Sequence, residues 1–322
     1  MNADPIFLVA ARRSGTTLLR LMLSSHPDLH WERGWEFATS LIDKDGKPPS
    51  YKILQNLTMK LGVEAIAIDE SEDLMSVYRN ILTSYFNKQC QSESKNVFGA
   101  TIHINYHLIR HVFPNSKFIH LVRDPRDVAF SAVKLGWDST FWSAAKRWRC
   151  AEEEWETLKL HVHPSSRVEL RFEDLVSNPE EELAKLCEFI GISYTSHLFD
   201  YTKNSKYGYP DPSLAERWRE KISSHDAALV ESRAGELLDR GGYERTSSNF
   251  KPAIIERCYL RLYNGIANRT RRIKRDGIAF FLLESSSQWL RISPLIKFVQ
   301  QKKQSRHNKV ISDLEKDYKN KL

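Results

Sequence analysis

A short basic turn near the N-terminus has the composition of an anion site. It lies between the apolar run 6–9 and an amphipathic segment over 18–23. Its residues, in order, are Arg13, Ser14, Gly15, Thr16 and Thr17. Backbone N–H groups at the start of a helix have no internal acceptor and lie at the positive end of the helix dipole. We therefore expect this turn to bind a phosphate group through those N–H groups, its hydroxyls and its arginine.

The turn differs from the phosphate loop of kinases. That loop reads G-x-x-x-x-G-K-[ST], and its lysine reaches the outer phosphates of a triphosphate. Here Ala10 stands at the first glycine and Thr16 at the lysine, and the cation is Arg13, before the turn. The sequence thus favours one phosphate end of a nucleotide over a metal-bridged triphosphate. An ordinary strand-to-helix turn is the alternative.

A second strand-turn-helix segment begins with the apolar run 118–122. Asp124 followed by Pro125 predicts a helix N-cap with proline at the first helical position. Arg123 then lies at the carboxyl end of the strand, and Ser131 about two helical turns further on. Ligands of open α/β sheets bind beyond the carboxyl ends of the strands. Two such corners on neighbouring strands indicate a ligand with phosphates at both ends.

Together these segments resemble sulfotransferases that use 3′-phosphoadenosine 5′-phosphosulfate. R-S-G-T-T with the following His26-Pro27 is similar to the 5′-phosphosulfate loop of that family, and V-R-D-P-R-D-V-A-F-S to its 3′-phosphate motif. The segment 168–192 resembles the strand, acidic turn and helix of the family's second half. The resemblance covers roughly residues 5–245 and is strongest to the bacterial and tyrosylprotein-sulfotransferase-like branch.

The resemblance implies roles for individual residues and a metal-free reaction with the sulfated nucleotide as cosubstrate. The 5′-phosphosulfate end would be held by Arg13, Ser14, Gly15, Thr16 and Thr17, with Arg13 also neutralising the transferring group. Arg123 and Ser131 would hold the 3′-phosphate. Arg217 stands where the tyrosylprotein branch has a lysine beside the nucleotide. Either Arg217 or Trp218 could stack on adenine, although a core position is the favoured alternative for Trp218.

Arg126 belongs to the second motif but has another interpretation. It could contact phosphate, or it could form a surface pair with Asp124 and Asp127, because residues three apart on a helix are neighbours.

The base that accepts the proton of the acceptor hydroxyl is less clear from the sequence. The glutamate of the tyrosylprotein branch falls on Gly34, so Glu32 and Glu36 are the nearby carboxylates. We favour Glu36, because Trp35 and Phe37 would flank it with apolar surface, which can raise the pKa of a carboxyl group.

His103 is the rival base. It occupies the place of the histidine in a lysine-threonine-histidine run of soluble animal sulfotransferases, and an imidazole titrates near neutrality. His103, His107 and His111 also recur every four residues, which predicts a helix with polar histidines on one face. A metal site is not expected, because no H-E-x-x-H context is present.

The strand-turn-helix segments indicate an α/β fold. The resemblance implies that it is of the P-loop-like sulfotransferase type, with a central parallel sheet flanked by helices and a helical, basic C-terminal extension. We expect a sulfotransferase domain over 1–250 and the extension over 251–322. Residues 31–96 are interpreted as an insertion with mixed helices that shapes the substrate pocket. Trp142, Trp148 and Trp155 are expected to form a core-facing stripe on one helix.

The C-terminal extension has two interpretations. Arg269, Arg271, Arg272, Lys274 and Arg275 precede the apolar run 277–283. This segment, 269–283, could make peripheral contact with an anionic membrane, or it could pack on the catalytic domain, with a solvated charged tail from Lys302.

Composition agrees with a sulfotransferase. The net charge of +7 suits an anionic cosubstrate or acceptor and does not require nucleic acid. Four cysteines without a C-x-x-C pair, no signal segment and no run of about 18 apolar residues predict a cytoplasmic protein, with the membrane surface as the alternative location. The hydroxyl acceptor could be a carbohydrate, a lipid, a small molecule or a peptide. A non-catalytic nucleotide or anionic-membrane binding protein and a small-molecule kinase are the alternative functions.

Overall fold

The computed structural model describes residues 4–63, 73–247 and 250–278, together with residues 280, 282, 283 and 286. The chain divides into two units, Met1–Glu256 and Arg257–Leu322. The tail from Lys302 and parts of the run 277–283 lie outside the described residues. The domain boundary expected at residue 250 stays a prediction.

A parallel five-stranded sheet forms the centre of the first unit. Its strands are β1 (Ile6–Val9), β2 (Leu29–Glu32), β3 (Val97–Ile102), β4 (Lys117–Val122) and β5 (Arg167–Arg171). Their order across the sheet is β2-β3-β1-β4-β5, and every neighbouring pair is parallel. The carboxyl ends of β1 and β4 therefore lie side by side, which brings the two predicted phosphate corners to the same edge.

Helices of the first unit cover both faces of this sheet. The helices of the described residues are, in chain order, α1 (Thr16–Ser24), α2 (Glu36–Ser40), α3 (Tyr51–Leu61), α4 (Leu74–Ser92), α5 (Ile109–Val112), α6 (Pro125–Lys134), α7 (Phe141–Lys159), α8 (Phe172–Ser177), α9 (Pro179–Ile190), α10 (Tyr201–Asn204), α11 (Trp218–Lys221), α12 (Ser224–Ala234), α13 (Glu236–Arg240) and α14 (Ile254–Asp276). Short 3-10 turns lie at Tyr106–Leu108, Pro164–Ser166, Ser196–Phe199 and Pro212–Leu214. Among the described residues, no helix combines the length and the apolar character needed to cross a bilayer.

Strand β1 is buried on both faces, as a central parallel strand must be. Because side chains alternate along a strand, Phe7 and Val9 enter one core, where they join residues of α4 and α5. Ile6 and Leu8 enter the opposite core with residues of α1 and α9. The four-residue apolar run is therefore what anchors the basic turn that follows it.

The expected fold class is confirmed, as are the strands over 118–122 and 168–171 and the caps of α6. The tryptophan stripe is also confirmed, since Trp142, Trp148 and Trp155 are all buried on α7. The interpretation of 31–96 as an insertion missed one strand in part: β2 ends at Glu32, and α2, α3 and α4 follow it.

The predicted helix through the three histidines is wrong. His103 follows the end of β3, His107 lies in a 3-10 turn and His111 lies in α5. Asn105 adopts a left-handed conformation with φ 55, which interrupts the regular helical backbone between His103 and His107.

A buried charge cluster ties β4 to its neighbours. His120 of β4 is 1% exposed, and its Nε2 lies 3.3 Å from Oε2 of Glu152 in α7. Its Nδ1 lies 3.7 Å from Oε2 of Glu169 in β5. Burial alone would lower the pKa of His120, but the two facing carboxylates outweigh burial and raise the pKa to about 9. The imidazole is therefore charged at neutral pH.

This cluster predicts a pH-dependent part of the stability. Because the pKa of His120 is higher in the folded protein, the charged His120 stabilises the fold fully at pH values below the unfolded-state pKa near 6.5. This stabilisation is lost as pH rises through about 9. We expect the difference in free energy of unfolding between wild type and His120→Gln to shrink by about 3 kcal/mol between these limits. Urea unfolding of both proteins across the range measures this difference, and a constant difference would contradict the charged pair.

Candidate functional site

The basic turn is a strained loop that ends in the first turn of α1. Arg13 has φ 80 and Gly15 has φ 96, so both lie in the left-handed region. The Ser14 N–H donates to the Ala11 carbonyl at 3.2 Å, which closes the turn. Gly15 is the N-cap of α1 and has no side chain to cap the helix. The first helical N–H groups are thus left for a bound anion.

Gly15 is required for a second reason besides its backbone conformation. A Cβ atom at this position would lie 2.2 Å from Cδ2 of Phe172, the first residue of α8. The ring of Phe172 also lies 4.1 Å from the guanidinium carbon of Arg123. One aromatic ring therefore packs against both predicted phosphate corners, and sequence reasoning missed it because the contact joins distant segments.

The second corner is held by contacts within its own motif and by two groups from outside it. Asp124 caps α6 by accepting from the Arg126 N–H at 2.8 Å. The Asp124 N–H donates at 3.0 Å to Oε1 of Glu173, in α8. Nη2 of Arg123 donates to the Leu214 carbonyl at 2.6 Å and lies 3.6 Å from Oδ2 of Asp127. These contacts orient the Arg123 guanidinium at the end of β4.

The two corners meet in a direct hydrogen bond. Nε of Arg13 donates to Oγ of Ser131 at 3.0 Å, across 118 positions of the chain. Because the Ser131 hydroxyl accepts this bond, its own proton stays available for a phosphate oxygen. The guanidinium of Arg13 also lies 5.2 Å from the ring of Trp137, which is 41% exposed. The structure thus unites the two motifs into one site.

Several buried polar atoms at this site have no hydrogen-bond partner within the described residues. They include Oγ of Ser14, in a residue that is 0% exposed, Nε of Arg123, and Oδ2 of Asp127, which lies 3.6 Å from Nη2 of Arg123. Burial lowers the pKa of the Arg123 guanidinium, although Asp127 and Glu173 partly oppose the shift. An incompletely compensated arginine and an unpaired hydroxyl are the groups that a phosphate dianion would satisfy. The residues present therefore fit an anionic nucleotide.

Arg126 has a different role from Arg123. Its guanidinium is buried and donates to Asp124, to Oε1 of Glu231 at 2.8 Å and to the Glu244 carbonyl at 3.0 Å. It also lies 3.8 Å from the ring of Trp218. The predicted pair with Asp124 exists but is buried, so its description as a surface pair is wrong. Arg126 fastens α6 to α12 and the segment after α13.

Arg217 lies in a segment that folds over the second corner. It precedes α11, and the Trp218 N–H donates to Oδ1 of Asp127 at 2.9 Å. The Leu214 carbonyl of the same segment accepts from Arg123. Trp218 is 5% exposed, in agreement with the core alternative. Arg217 is half-buried and directly precedes Trp218, the residue that contacts α6.

Both candidate bases lie beside the basic turn. Nη2 of Arg12 lies 3.1 Å from Oε1 of Glu36, the first residue of α2. Nδ1 of His103 is 3.0 Å from the Ala10 carbonyl. A carbonyl can only accept, so Nδ1 carries the proton and Nε2 carries the lone pair. Arg12 is a site residue that the sequence analysis missed.

The electrostatics of this group centre on His103. Burial is the main influence and lowers the pKa of His103, so the imidazole is neutral near pH 7. The negative charge of Glu36 acts in the opposite direction, and the positive charge of Arg12 reinforces the lowering. A neutral imidazole with a free lone pair is the form that a general base requires.

The contacts of Glu32 and of the Trp35 ring include His30, Tyr85 and Phe86. Oε1 of Glu32 accepts from the Tyr85 hydroxyl at 2.7 Å and lies 3.5 Å from Nε2 of His30. Trp35 is 1% exposed and packs in the core against Phe86. Glu36 is paired with Arg12, whereas the ring of Trp35 lies in the core, and an apolar environment for Glu36 stays a prediction.

No group of three or more His, Cys, Asp or Glu side chains that could hold a metal ion occurs in the part of the chain that the structure describes. The positive groups that converge at the site are the arginines and the N–H groups at the start of α1.

The amino-acid sequence of this chain is similar to those of known proteins. The sulfotransferase family model matches residues 5–196. Protein-tyrosine sulfotransferase 2 of Gallus gallus is 27% identical over 208 residues, which cover 61% of this chain and 53% of that protein. Omega-hydroxy-beta-dihydromenaquinone-9 sulfotransferase Stf3 of Mycobacterium bovis is 26% identical over 240 residues, 65% of this chain and 55% of that protein. The chain spans about half the length of these curated relatives.

Solved structures share the fold. The sulfotransferase domain from the curacin biosynthetic pathway superposes with a TM-score of 0.53 at 18% identity, over 76% of this chain and 99% of that domain. The sulfotransferase domain of the Synechococcus PCC 7002 olefin synthase gives a TM-score of 0.51 at 22% identity, over 76% and 96%. Since the family model also matches more than half of the sequence, this chain belongs to the sulfotransferase family.

Proposed function

We propose that this protein transfers a sulfuryl group from 3′-phosphoadenosine 5′-phosphosulfate to a hydroxyl acceptor. The hydrogen bond between Arg13 and Ser131 carries the proposal, because it places the two phosphate motifs at one site. A ligand that reaches both motifs must carry anionic groups at two ends. Family membership supports the same reaction, and the names of the two relatives, protein-tyrosine and omega-hydroxy-beta-dihydromenaquinone-9 sulfotransferase, indicate hydroxyl acceptors.

The residues of the basic turn would hold the 5′ end of the donor. The amides of Gly15, Thr16 and Thr17 lie at the N-terminus of α1, where anions are favoured. Arg13 lies next to them and neutralises charge that develops as the sulfuryl group leaves phosphate. Arg123 and Ser131 would hold the 3′-phosphate, and Arg217 lies in the segment that covers them.

The bound nucleotide supplies an activated sulfuryl group: the acceptor oxygen bonds to sulfur, the bond from sulfur to the bridging oxygen breaks, and adenosine 3′,5′-bisphosphate leaves. The acceptor proton must move to a base of this chain. We propose His103 for that role, because its Nε2 holds the lone pair while Nδ1 is fixed on Ala10. Glu36 would stabilise the imidazolium that forms, since its charge raises the pKa of His103. Glu36 itself is the alternative base.

The class of acceptor stays open between carbohydrate, lipid, small molecule and peptide. Loops around the site determine that choice, and fold alone does not define it. The exposed Trp137 beside Arg13 is an apolar surface that an acceptor could contact.

We expect Arg123→Ala to weaken binding of adenosine 3′,5′-bisphosphate by about 10- to 100-fold, because a charge-assisted hydrogen bond contributes roughly 1.5–3 kcal/mol. Titration calorimetry measures the affinity. Arg149→Ala is the matched control, since Arg149 is an exposed arginine paired with Glu153 on α7. Equal loss in both variants, or no loss in Arg123→Ala, would contradict the assigned phosphate contact.

We expect His103→Asn to abolish transfer while nucleotide affinity stays within about 3-fold of wild type, because general-base catalysis typically contributes about 100- to 10,000-fold to the rate. The pH profile of kcat/KM gives a second test. Glu36→Gln should move the acid limb to lower pH, because it removes the charge that raises the pKa of His103, and Arg12→Gln should move it to higher pH. Loss of transfer in Glu36→Gln with activity retained in His103→Asn would instead identify Glu36 as the base.

We expect sulfuryl transfer to continue in the presence of EDTA, because arginine and helix amides provide the positive charge at the phosphates. The measurement uses radiolabelled sulfuryl donor and a panel of phenol, sugar and lipid alcohols. ATP with magnesium serves as the control donor and should give no phosphoryl transfer. Transfer that requires magnesium, or that occurs from ATP, would favour the kinase. Donor binding without transfer to any acceptor would favour a non-catalytic binding protein.

A further inference from the structure

Helix α14 has an exposed apolar face. Side chains spaced three or four positions apart lie on one side of an α-helix. Along α14 that spacing joins four large apolar residues, and the exposed fractions are 84% for Ile255, 62% for Tyr259, 63% for Leu262 and 52% for Ile266. The ring of Tyr263 stacks on Tyr259 at a centroid distance of 6.1 Å and extends the surface. A continuous exposed stripe of this kind marks an interaction surface.

Positively charged residues lie on both sides of this apolar stripe and on the opposite face of the helix. At 100° per residue, Arg269 and Lys274 fall on the two sides of the apolar face, and Arg257 and Arg261 fall on the far side. The acidic residues within the helix are Glu256 and Asp276, at its two ends. The helix thus combines an apolar face with basic flanks, which is the pattern of helices that lie in a lipid headgroup region.

The excess positive charge of the whole chain lies in the segment that contains α14. Residues 257–322 contain 16 lysines and arginines and five aspartates and glutamates, whereas residues 1–256 contain 32 lysines and arginines and 36 aspartates and glutamates. The expectation that the net charge of +7 serves the nucleotide or acceptor therefore needs correction, because the excess lies outside the first unit. A positive segment that carries an apolar face matches an anionic surface with an apolar interior.

We propose that α14 docks this protein on an anionic bilayer. Ile255, Leu262 and Ile266 enter the boundary between headgroups and acyl chains, and the flanking cations contact lipid phosphates. A second copy of the chain fits this surface less well, because it would bring two segments of the same strong positive charge together. The proposal places the contact on 254–276, largely upstream of the segment 269–283 expected from the sequence, and it does not depend on the enzymatic activity.

Co-sedimentation of the full-length chain with vesicles tests the proposal. We expect binding to phosphatidylcholine vesicles that contain phosphatidylglycerol, weaker binding at high salt, and little binding to phosphatidylcholine alone. Leu262→Ser combined with Ile266→Ser should weaken binding at least about 10-fold, because two apolar side chains lose their burial in lipid. Leu160→Ser is the matched control, since Leu160 is 82% exposed at the end of α7.

The contribution of the flanking cations is tested with Arg269→Glu combined with Lys274→Glu, which should also reduce binding to the anionic vesicles. Circular dichroism and unchanged affinity for adenosine 3′,5′-bisphosphate verify that each variant is folded. Absence of binding to the anionic vesicles, or serine variants that bind like wild type, would overturn the proposal. Light scattering that shows a dimer disrupted by the serine substitutions would assign the face to a second copy. If DNA competes away vesicle binding and the serine substitutions have no effect, the surface would be assigned to binding of a polyanion.

Discussion

Parallel pairing of β1 with β4 is the constraint on which the site depends. The register places Val9 beside His120, so the turns after the two strands emerge at one edge of the sheet. Arg13 then reaches Ser131, and the ring of Phe172 packs against Gly15 and Arg123 together. Each turn alone is a common anion-binding element. Their adjacency brings the two predicted phosphate corners together at one edge of the sheet.

The parts of the fold that follow from local sequence were predictable. Strands β1 and β4 are apolar runs, and Asp124 with Pro125 starts a helix by local capping. Strand β2 carries His30 and Glu32 among its four residues and so lacks a continuous apolar pattern. Strand β3 contains Gly99, whose missing side chain admits the ring of Trp31 from β2. That contact between strands is non-local, and no pattern within either strand indicates it.

The candidate site also has parts that the sequence predicted and parts that it did not. The basic turn and the 3′-phosphate motif were recognisable because each lies within one continuous segment. The group of Arg12, Glu36 and His103 comes from three segments that meet because β1, β3 and β2 are consecutive strands of the sheet. The core position of Trp35 was not predictable for a related reason, since the sequence does not show on which side of a short helix the core lies.

Hydrogen exchange measured by mass spectrometry tests most directly whether the two corners act as one site. Adenosine 3′,5′-bisphosphate should slow amide exchange both in residues 13–19 and in residues 123–135, with the same ligand concentration at half-maximal protection in each segment. Protection of one segment only, or two different midpoints, would show that the corners do not bind the ends of a single nucleotide.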